Sequence, residues 1–446
     1  MSDKAQTDRE EFIAEDILSV GTDEAPEEET EIIQPEEGEK SEKAKKGKLA
    51  RMIAFIKDNI SSGIVDRPMV VIIMLLIAFG SVMVFSASYA YAYSSTGDSA
   101  FYIKKQLFWV ALGTVAMIIA SYPKVRIYKL FTVPLFAVSM MLLLVVLVFG
   151  MAAGVAQRWI SIAGISFQPS ELMKLALILL LGWYGERFAR KVEDPITHKK
   201  SFLYSVIVPA AIIGMVCVLV LLENHLSGTI ILFLIGVTCM WAIGADKKWF
   251  IILGAIGGTV VAAVLFVVWF KDASWNKIDD LIPAYVVKRI DMWIRPENYT
   301  VLDDTWQTVQ GTIAVGSGGF FGTGFGKSFQ KHLFVSQPQN DFIFAIICEE
   351  LGFVGAAALM LLYIAFIYRG LQIVKNASDT YSAIVAMGIV GHVGIQAFLN
   401  MMVVTAILPN TGISLPFISY GGSSLVMLMA EMGVLLGISR RAKLQK

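Results

Sequence analysis

Residues 316–355 read GSGGFFGTGFGKSFQKHLFVSQPQNDFIFAIICEELGFVG. The stretch opens as a glycine-rich, basic loop and passes into a long apolar run. One carboxylate, Asp341, stands at the point of entry, and two more, Glu349 and Glu350, lie about two turns further on. Charged groups at a membrane border or inside it are costly and usually functional. Eight and nine residues beyond Asp341, Glu349 and Glu350 fall on roughly its side of a helix, which predicts that they face a bundle interior. Two readings of Asp341 stand: a helix N-cap, with Asn340 as the alternative cap, or a reacting group. Glu349 and Glu350 are either functional or a buried hydrogen-bonded pair that fixes helix packing.

Outward from this stretch the chain is a membrane protein. Its 446 residues are 56% apolar, with a mean hydropathy of +0.65. Ten apolar runs are long enough to span a bilayer: 69–91, 105–121, 130–151, 170–188, 203–222, 226–244, 249–270, 341–368, 382–406 and 420–439. The expected fold is all-α and polytopic, in two parts. Residues 1–64 form a cytoplasmic acidic tail with a basic juxtamembrane segment, and residues 65–446 form the transmembrane domain.

The overall charge of zero conceals segregation, because residues 1–50 hold 16 of the 37 Asp and Glu. Such a tail is too polar to offset its ordering entropy and is expected to be disordered. The patch KAKKGKLAR follows. Arg51, Ile53, Phe55, Ile56 and Ile60 then suit either a short amphipathic helix on an anionic leaflet or a charge run that only sets topology. No cleavable signal peptide is visible. Cys217, Cys239 and Cys348 form neither a disulfide framework nor a CxxC pair.

Positive charge sets the expected orientation. With the N-terminus cytoplasmic, the inner loops carry Lys124, Arg126 and Lys129; Arg187, Arg190, Lys191, Lys199 and Lys200; Lys247 and Lys248; Arg369 and Lys375. The tail adds Arg440, Arg441, Lys443 and Lys446. The short outer loops carry only Lys104, Lys105 and Arg158. Both termini are then cytoplasmic, and the one large outer loop is 271–340, between the seventh and eighth spans. In it VVKRIDMWI (286–294) predicts an interfacial helix with Trp293 at headgroup depth, and WQTVQGTIAVGSGG (306–319) a second helix ended by glycines.

Two other segments carry candidate chemistry. RWISIAGISFQPSELMK (158–174) puts Arg158 and Trp159 in an outer loop and opens the fourth span with Pro169 and Ser170. Glu171 and Lys174 follow, three apart on one helix face. LPNTGISLPFISYGGSS (408–424) combines prolines, glycines and hydroxyls. Such irregular backbone at membrane depth is tolerated only where it is buried or lines a cavity, so Ser419, Gly421 and Gly422 are candidate cavity residues. GTGFGKS is not a nucleotide P-loop, because Phe321 occupies the position of the first required glycine. A backbone-amide cradle for a lipid diphosphate, helped by Lys327 and Lys331, remains open beside a plain turn. The four histidines lack metal-ligand spacing, and His392 reads as a helix-packing hydrogen bonder. No serine is paired with a histidine and an acid as a hydrolase triad requires, and the basic, aromatic face of a nucleic-acid binder is missing.

Together these three segments resemble the SEDS family (shape, elongation, division and sporulation; RodA, FtsW and SpoVE), over about residues 65–442. The resemblance implies a glycosyltransferase that polymerises lipid II at the outer face of the bacterial cytoplasmic membrane, with a class B penicillin-binding protein as crosslinking partner. It implies that Asp341, in the family's [TN]-D-F-I-F, is the catalytic residue. The family's R-W falls on Arg158 and Trp159, and its Q-P-S-E-x-x-K on Gln168, Pro169, Ser170, Glu171 and Lys174. The departures are Ser336 and Gln337 where many members have Pro-Glu, Gln339 and Asn340 for His-Thr, and ENHLSGT (223–229) before the sixth span. The retained FIFAIICEELGF leans toward the division and sporulation branch. Candidate substrate-binding residues are Arg158, Trp159, Glu171, Lys174, Lys327, Lys331, Glu350, Ser419, Gly421 and Gly422. A divalent cation, Mg or Mn, is a candidate cofactor. Two rival functions are a lipid II flippase and a non-catalytic division scaffold. The absence of an obvious inverted repeat weighs against the flippase.

Overall fold

The computed structural model describes residues 63–149, 151–153, 156–162, 165–192, 201–269, 284–296 and 305–442. The acidic tail, its basic patch and the 51–60 amphipathic segment lie outside the described residues.

The chain is a multi-pass integral membrane protein. Nine of its described helices are long and apolar enough to cross a membrane: α1 (Arg67–Thr96), α2 (Phe101–Ser121), α3 (Val125–Phe149), α5 (Leu203–Leu222), α6 (Leu226–Ile243), α7 (Lys247–Trp269), α10 (Ile343–Lys375), α11 (Thr380–Val404) and α12 (Gly422–Ser439). The first turn of α5 is a π-turn over Leu203–Ile207. The expected fourth run is also a helix, α4 (Pro169–Arg187). Glu171, Lys174, Glu186 and Arg187 keep it from being as apolar as the rest. It is instead a central helix, with Leu175 to Leu179 all buried.

The packing follows from where polar and small residues fall. With lipid as solvent, burial of apolar surface does not drive helices together; close fit and internal hydrogen bonds do. Helix α4 packs on α3, α6 and α11, and α12 lies along α2. The outward faces of α2 and α3 are apolar, as at Ile119 and Leu130. Two short helices, α8 (Ala284–Ile294) and α9 (Thr305–Ser317), occupy the large loop, and α9 ends where the glycines begin.

The segment between α3 and α4 was expected to be loop. It forms a small antiparallel sheet of β1 (Met151–Ala153), β2 (Ala156–Ile162) and β3 (Ile165–Phe167), in that order. Alternating Ile160, Ile162, Ile165 and Phe167 suit it, with Ile160 opposite Phe167 and Ile162 opposite Ile165.

One end of the bundle is tied by charge. The Arg369 guanidinium donates to both carboxylate oxygens of Asp66, from Nε to Oδ1 at 2.9 Å and from Nη2 to Oδ2 at 2.6 Å. Lys129 pairs with Glu186 at 2.6 Å and lies 3.8 Å from Asp379. Arg440 donates to the Gly63 carbonyl. These residues come from segments expected on one side of the membrane, and they meet.

Candidate active site

Helix α10 begins at Ile343 with Phe342 at its N-cap position. Asp341 therefore lies one residue ahead of the cap. Its neighbourhood is built by main-chain clamps. The side-chain amide of Asn400, fully buried on α11, donates to the Asp341 carbonyl and to the Ile413 carbonyl, each at 2.7 Å. The Ser419 hydroxyl donates to the Asn340 carbonyl at 2.7 Å and accepts from the Leu415 amide. The Tyr420 amide donates to the Gln339 carbonyl at 2.8 Å. The irregular 408–421 segment is thus laced to residues 339–341. A Cβ built on Gly412 would stand 3.6 Å from Oδ2 of Asp341.

That laced segment also walls a polar cleft. Gln168, Ser170, Glu171, Lys174, His225 and Gln396 line it together with Gly412 and Ser414. An adjoining hollow extends it past His392 to Ser419 and Gly421. Lys174 and Glu171 form an ion pair at 2.8 Å, and the Lys174 ammonium also donates to Oε1 of Gln396 at 3.1 Å. His392 Nε2 lies 2.9 Å from the same oxygen and its Nδ1 lies 2.7 Å from Glu431. Burial makes each of these polar groups costly unless paired, and the network pairs them.

The glycine-rich loop packs on the helix that follows it. Helix α10 is broken at Gly352 (φ 64°, ψ −164°). The loop docks on the break: the amides of Thr323 and Gly324 donate to the carbonyls of Glu349 and Glu350 at 2.9 and 3.0 Å. The Glu349 carboxylate accepts from the Phe329 amide at 2.8 Å and from the Ser328 hydroxyl. Glu350 accepts from Ser86 at 2.6 Å and pairs with Lys331 at 2.5 Å, with both side chains of that pair fully buried. The loop amides of Gly322, Thr323, Gly324 and Phe329 are thus committed to the protein. Gly318 sits so close to α10 that a Cβ there would stand 1.9 Å from the Cys348 carbonyl, which explains the small residue.

The structure therefore gathers Glu171, Lys174, Ser419 and Gly421 around adjoining hollows, and sets Asp341 beside Gly412 of the segment that walls them. It sets Lys331 and Glu350 against each other beneath the loop, and leaves Lys327 exposed on it. Trp159 is half-buried on β2, the strand that also carries Arg158. Gly422 faces the Trp109 ring, 3.2 Å from where its Cβ would be. Among the described residues no three His, Cys, Asp or Glu side chains gather as a metal site.

A family model described as "Cell cycle protein", covering FtsW, RodA and SpoVE, matches residues 66–444. The chain belongs to the SEDS family. Stage V sporulation protein E of Bacillus subtilis is 34% identical over 381 residues, covering 85% of this chain and 98% of that protein. A "Probable peptidoglycan glycosyltransferase FtsW" of Trichlorobacter lovleyi is 35% identical over 384 residues, covering 85% and 94%. Two solved structures share the fold. One, of a peptidoglycan synthase complex coordinating polymerization and crosslinking, has a chain matched at TM-score 0.66 and 24% identity, over 84% of this chain and 98% of that one. The other is the rod shape determining protein RodA of Thermus thermophilus, at TM-score 0.58 and 23% identity, over 85% and 98%. The protein is accordingly a multi-pass protein of the bacterial cytoplasmic membrane.

In this SEDS protein the surroundings of the cleft include residues outside the three motif segments. His392, Gln396 and Asn400 follow one another at four-residue steps in an otherwise apolar helix. Such spacing puts them on one face, and that polar stripe is the signal that finds them. Glu431 has no such signal; only the packing of α12 on α11 brings it to His392. His225, within the ENHLSGT departure, contacts Gln168 and Ser170 at 3.4 Å, so that departure forms part of the cleft wall.

Proposed function

We propose that this protein is a peptidoglycan glycosyltransferase that polymerises lipid II into glycan strands at the outer face of the membrane, in cell division, cell shape or sporulation. The observation that carries the reading is the Asp341 carboxylate against the same 408–421 segment that walls the Glu171–Lys174 cleft.

Asp341 accepts the proton of the acceptor sugar's 4-hydroxyl. The freed oxygen attacks the donor's anomeric carbon, and the bond to the lipid diphosphate breaks. An α-linked donor and a β-linked polymer require one inverting displacement and no covalent enzyme intermediate. General-base help of this kind is worth about 10²–10⁴-fold. The Lys174 ammonium supports the departing diphosphate, and electrostatic support at developing charge is strongest in a site shielded from water. The leaving diphosphate supplies the driving force, so no ATP site is needed. The reading takes ten spans, both termini in the cytoplasm and the 271–340 loop outside. A class B penicillin-binding protein is the crosslinking partner, in keeping with the synthase complex among the related structures.

Asp341→Asn is expected to abolish glycan formation from lipid II by purified protein in detergent while leaving its melting temperature unchanged. Near-normal polymerisation by that variant overturns the base assignment. Failure of the unaltered protein to lengthen glycan in detergent, where no compartments exist, favours the flippase instead.

A further inference from the structure

The glycine-rich loop carries four phenylalanines that the described residues leave exposed. Phe320, Phe321, Phe325 and Phe329 are between 52% (Phe325) and 80% (Phe321) exposed. Exposed apolar clusters of this kind mark a partner or a membrane.

Two polar ties locate the cluster. Asp66 meets Arg369 at one end of the bundle, and Ser86 meets Glu350 toward the other. Twenty residues of chain separate 66 from 86, and nineteen separate 350 from 369. At about 1.5 Å per helical residue, both distances are roughly 30 Å, the thickness of a bilayer's hydrocarbon core. Taken as the two borders of that core, the ties set the depth of the loop. Beyond Glu350, toward the middle of the membrane, the loop's backbone continues down α10. The Phe353 amide donates to the Gly319 carbonyl at 3.0 Å and the Val354 amide to the Phe320 carbonyl at 3.2 Å. Those positions lie about 5 Å inside the border. Phe320 stacks on Phe353 with centroids 5.6 Å apart, and Phe353 begins the outward apolar face that Val354, Met360, Leu361 and Ile364 continue.

We infer that the 319–329 loop is a wedge in the bilayer interface, with its phenylalanines among the lipid acyl chains and Lys327 and His332 at the headgroups. Three observations point to lipid as the occupant. The patch is continuous with the lipid-facing side of a membrane helix. It sits at the depth where aromatic belts lie. Its backbone is also prepared for a dry setting: at the Gly352 break, α10 carbonyls and amides are taken up by the loop, as irregular backbone at that depth requires. The wedge leads without interruption into residues 332–341, and so anchors the approach to Asp341 in the leaflet itself. The inference does not depend on the proposed activity.

A nitroxide at Phe321→Cys, in a chain whose three native cysteines are replaced by alanine, tests it in phosphatidylethanolamine–phosphatidylglycerol vesicles. Collisions with oxygen are expected to exceed those with a water-soluble nickel chelate, and the order is expected to reverse at Ser336→Cys on the exposed polar part of the loop. Chelate collisions dominating at both positions overturn the wedge. Low accessibility to both reagents at 321 also overturns it, because protein rather than lipid then covers the patch. Should the cysteine-free chain misfold, benzoylphenylalanine at position 321 in the native-cysteine protein serves the same end. A phospholipid adduct by mass supports the wedge, and a crosslink to a second chain or the absence of any lipid adduct refutes it.

Discussion

At the scale of single residues, the clearest consequence concerns Lys331. Its ammonium and the Glu350 carboxylate are both fully buried and 2.5 Å apart, with Tyr89 presenting its ring 4.7 Å from the ammonium. Removing one partner of such a pair strands a charge and costs about 3–5 kcal/mol, whereas replacing both is far milder. Lys331→Ala is therefore expected to lower the melting temperature sharply, and Lys331→Met with Glu350→Gln to recover most of the loss. A Lys331→Ala protein that keeps its stability and loses only substrate affinity would return this lysine to the substrate. Asn400 acts differently, as a positioning residue. Asn400→Ala frees the Asp341 and Ile413 carbonyls together. It is expected to reduce turnover roughly tenfold, equivalent to about 1.4 kcal/mol, with little change in KM for lipid II. Neither role was visible in the residue types. Lys331 in a basic loop looked like a free cation, and Asn400 was one amide in an apolar run, because burial and pairing are set by neighbours distant in sequence.

At the scale of elements, the break in α10 organises the loop. Gly352 has φ 64° and ψ −164°, a region essentially confined to glycine and worth about 1–3 kcal/mol of strain to other residues. A Cβ there would also stand 2.3 Å from the Gly322 nitrogen. Gly352→Ala is expected to release the 318–331 loop and open it to proteolysis, while α11 and α12 stay protected. Unchanged cleavage would mean that the docking does not depend on the break. Helix existence was largely legible from composition: runs 203–222 and 226–244 are indeed two helices, joined through Glu223, Asn224 and His225. The sheet between α3 and α4 was not legible, since its strands are three to seven residues long and depend on pairing with each other. Helix α8 was expected from its spacing. Its anchoring was not: Trp293 donates to the Ala406 carbonyl and Arg289 to the Asn410 carbonyl, each at 2.8 Å. Those bonds fasten it to the segment that holds Asp341.

At the scale of the whole molecule, the charged ties gather residues 63–66, 129, 186, 369, 379 and 440 at one end, opposite the cleft. If that end is cytoplasmic, alkaline phosphatase fused after residue 442 is inactive, and the same reporter inserted at 336 is active. The reverse pattern would place Asp341 on the inner side and overturn polymerisation at the outer face.

By itself the sequence determined the class of molecule and the approximate extents of its long helices, put Glu171 and Lys174 on one helix face and, with the family resemblance, singled out Asp341. These follow from hydropathy, local spacing and short motifs, which act over a few residues. Only the tertiary structure decided what surrounds Asp341 and what the glycine-rich stretch from Gly316 to Gly355 does. That stretch turns its amides and Lys331 onto the two glutamates of its own helix, because buried charges and a broken helix must be satisfied from within the protein. The partners that satisfy them come from Ser86 and Tyr89 at one end of the chain, while Asn400 near the other holds the Asp341 carbonyl and Ser419 the Asn340 carbonyl, contacts that no local pattern encodes.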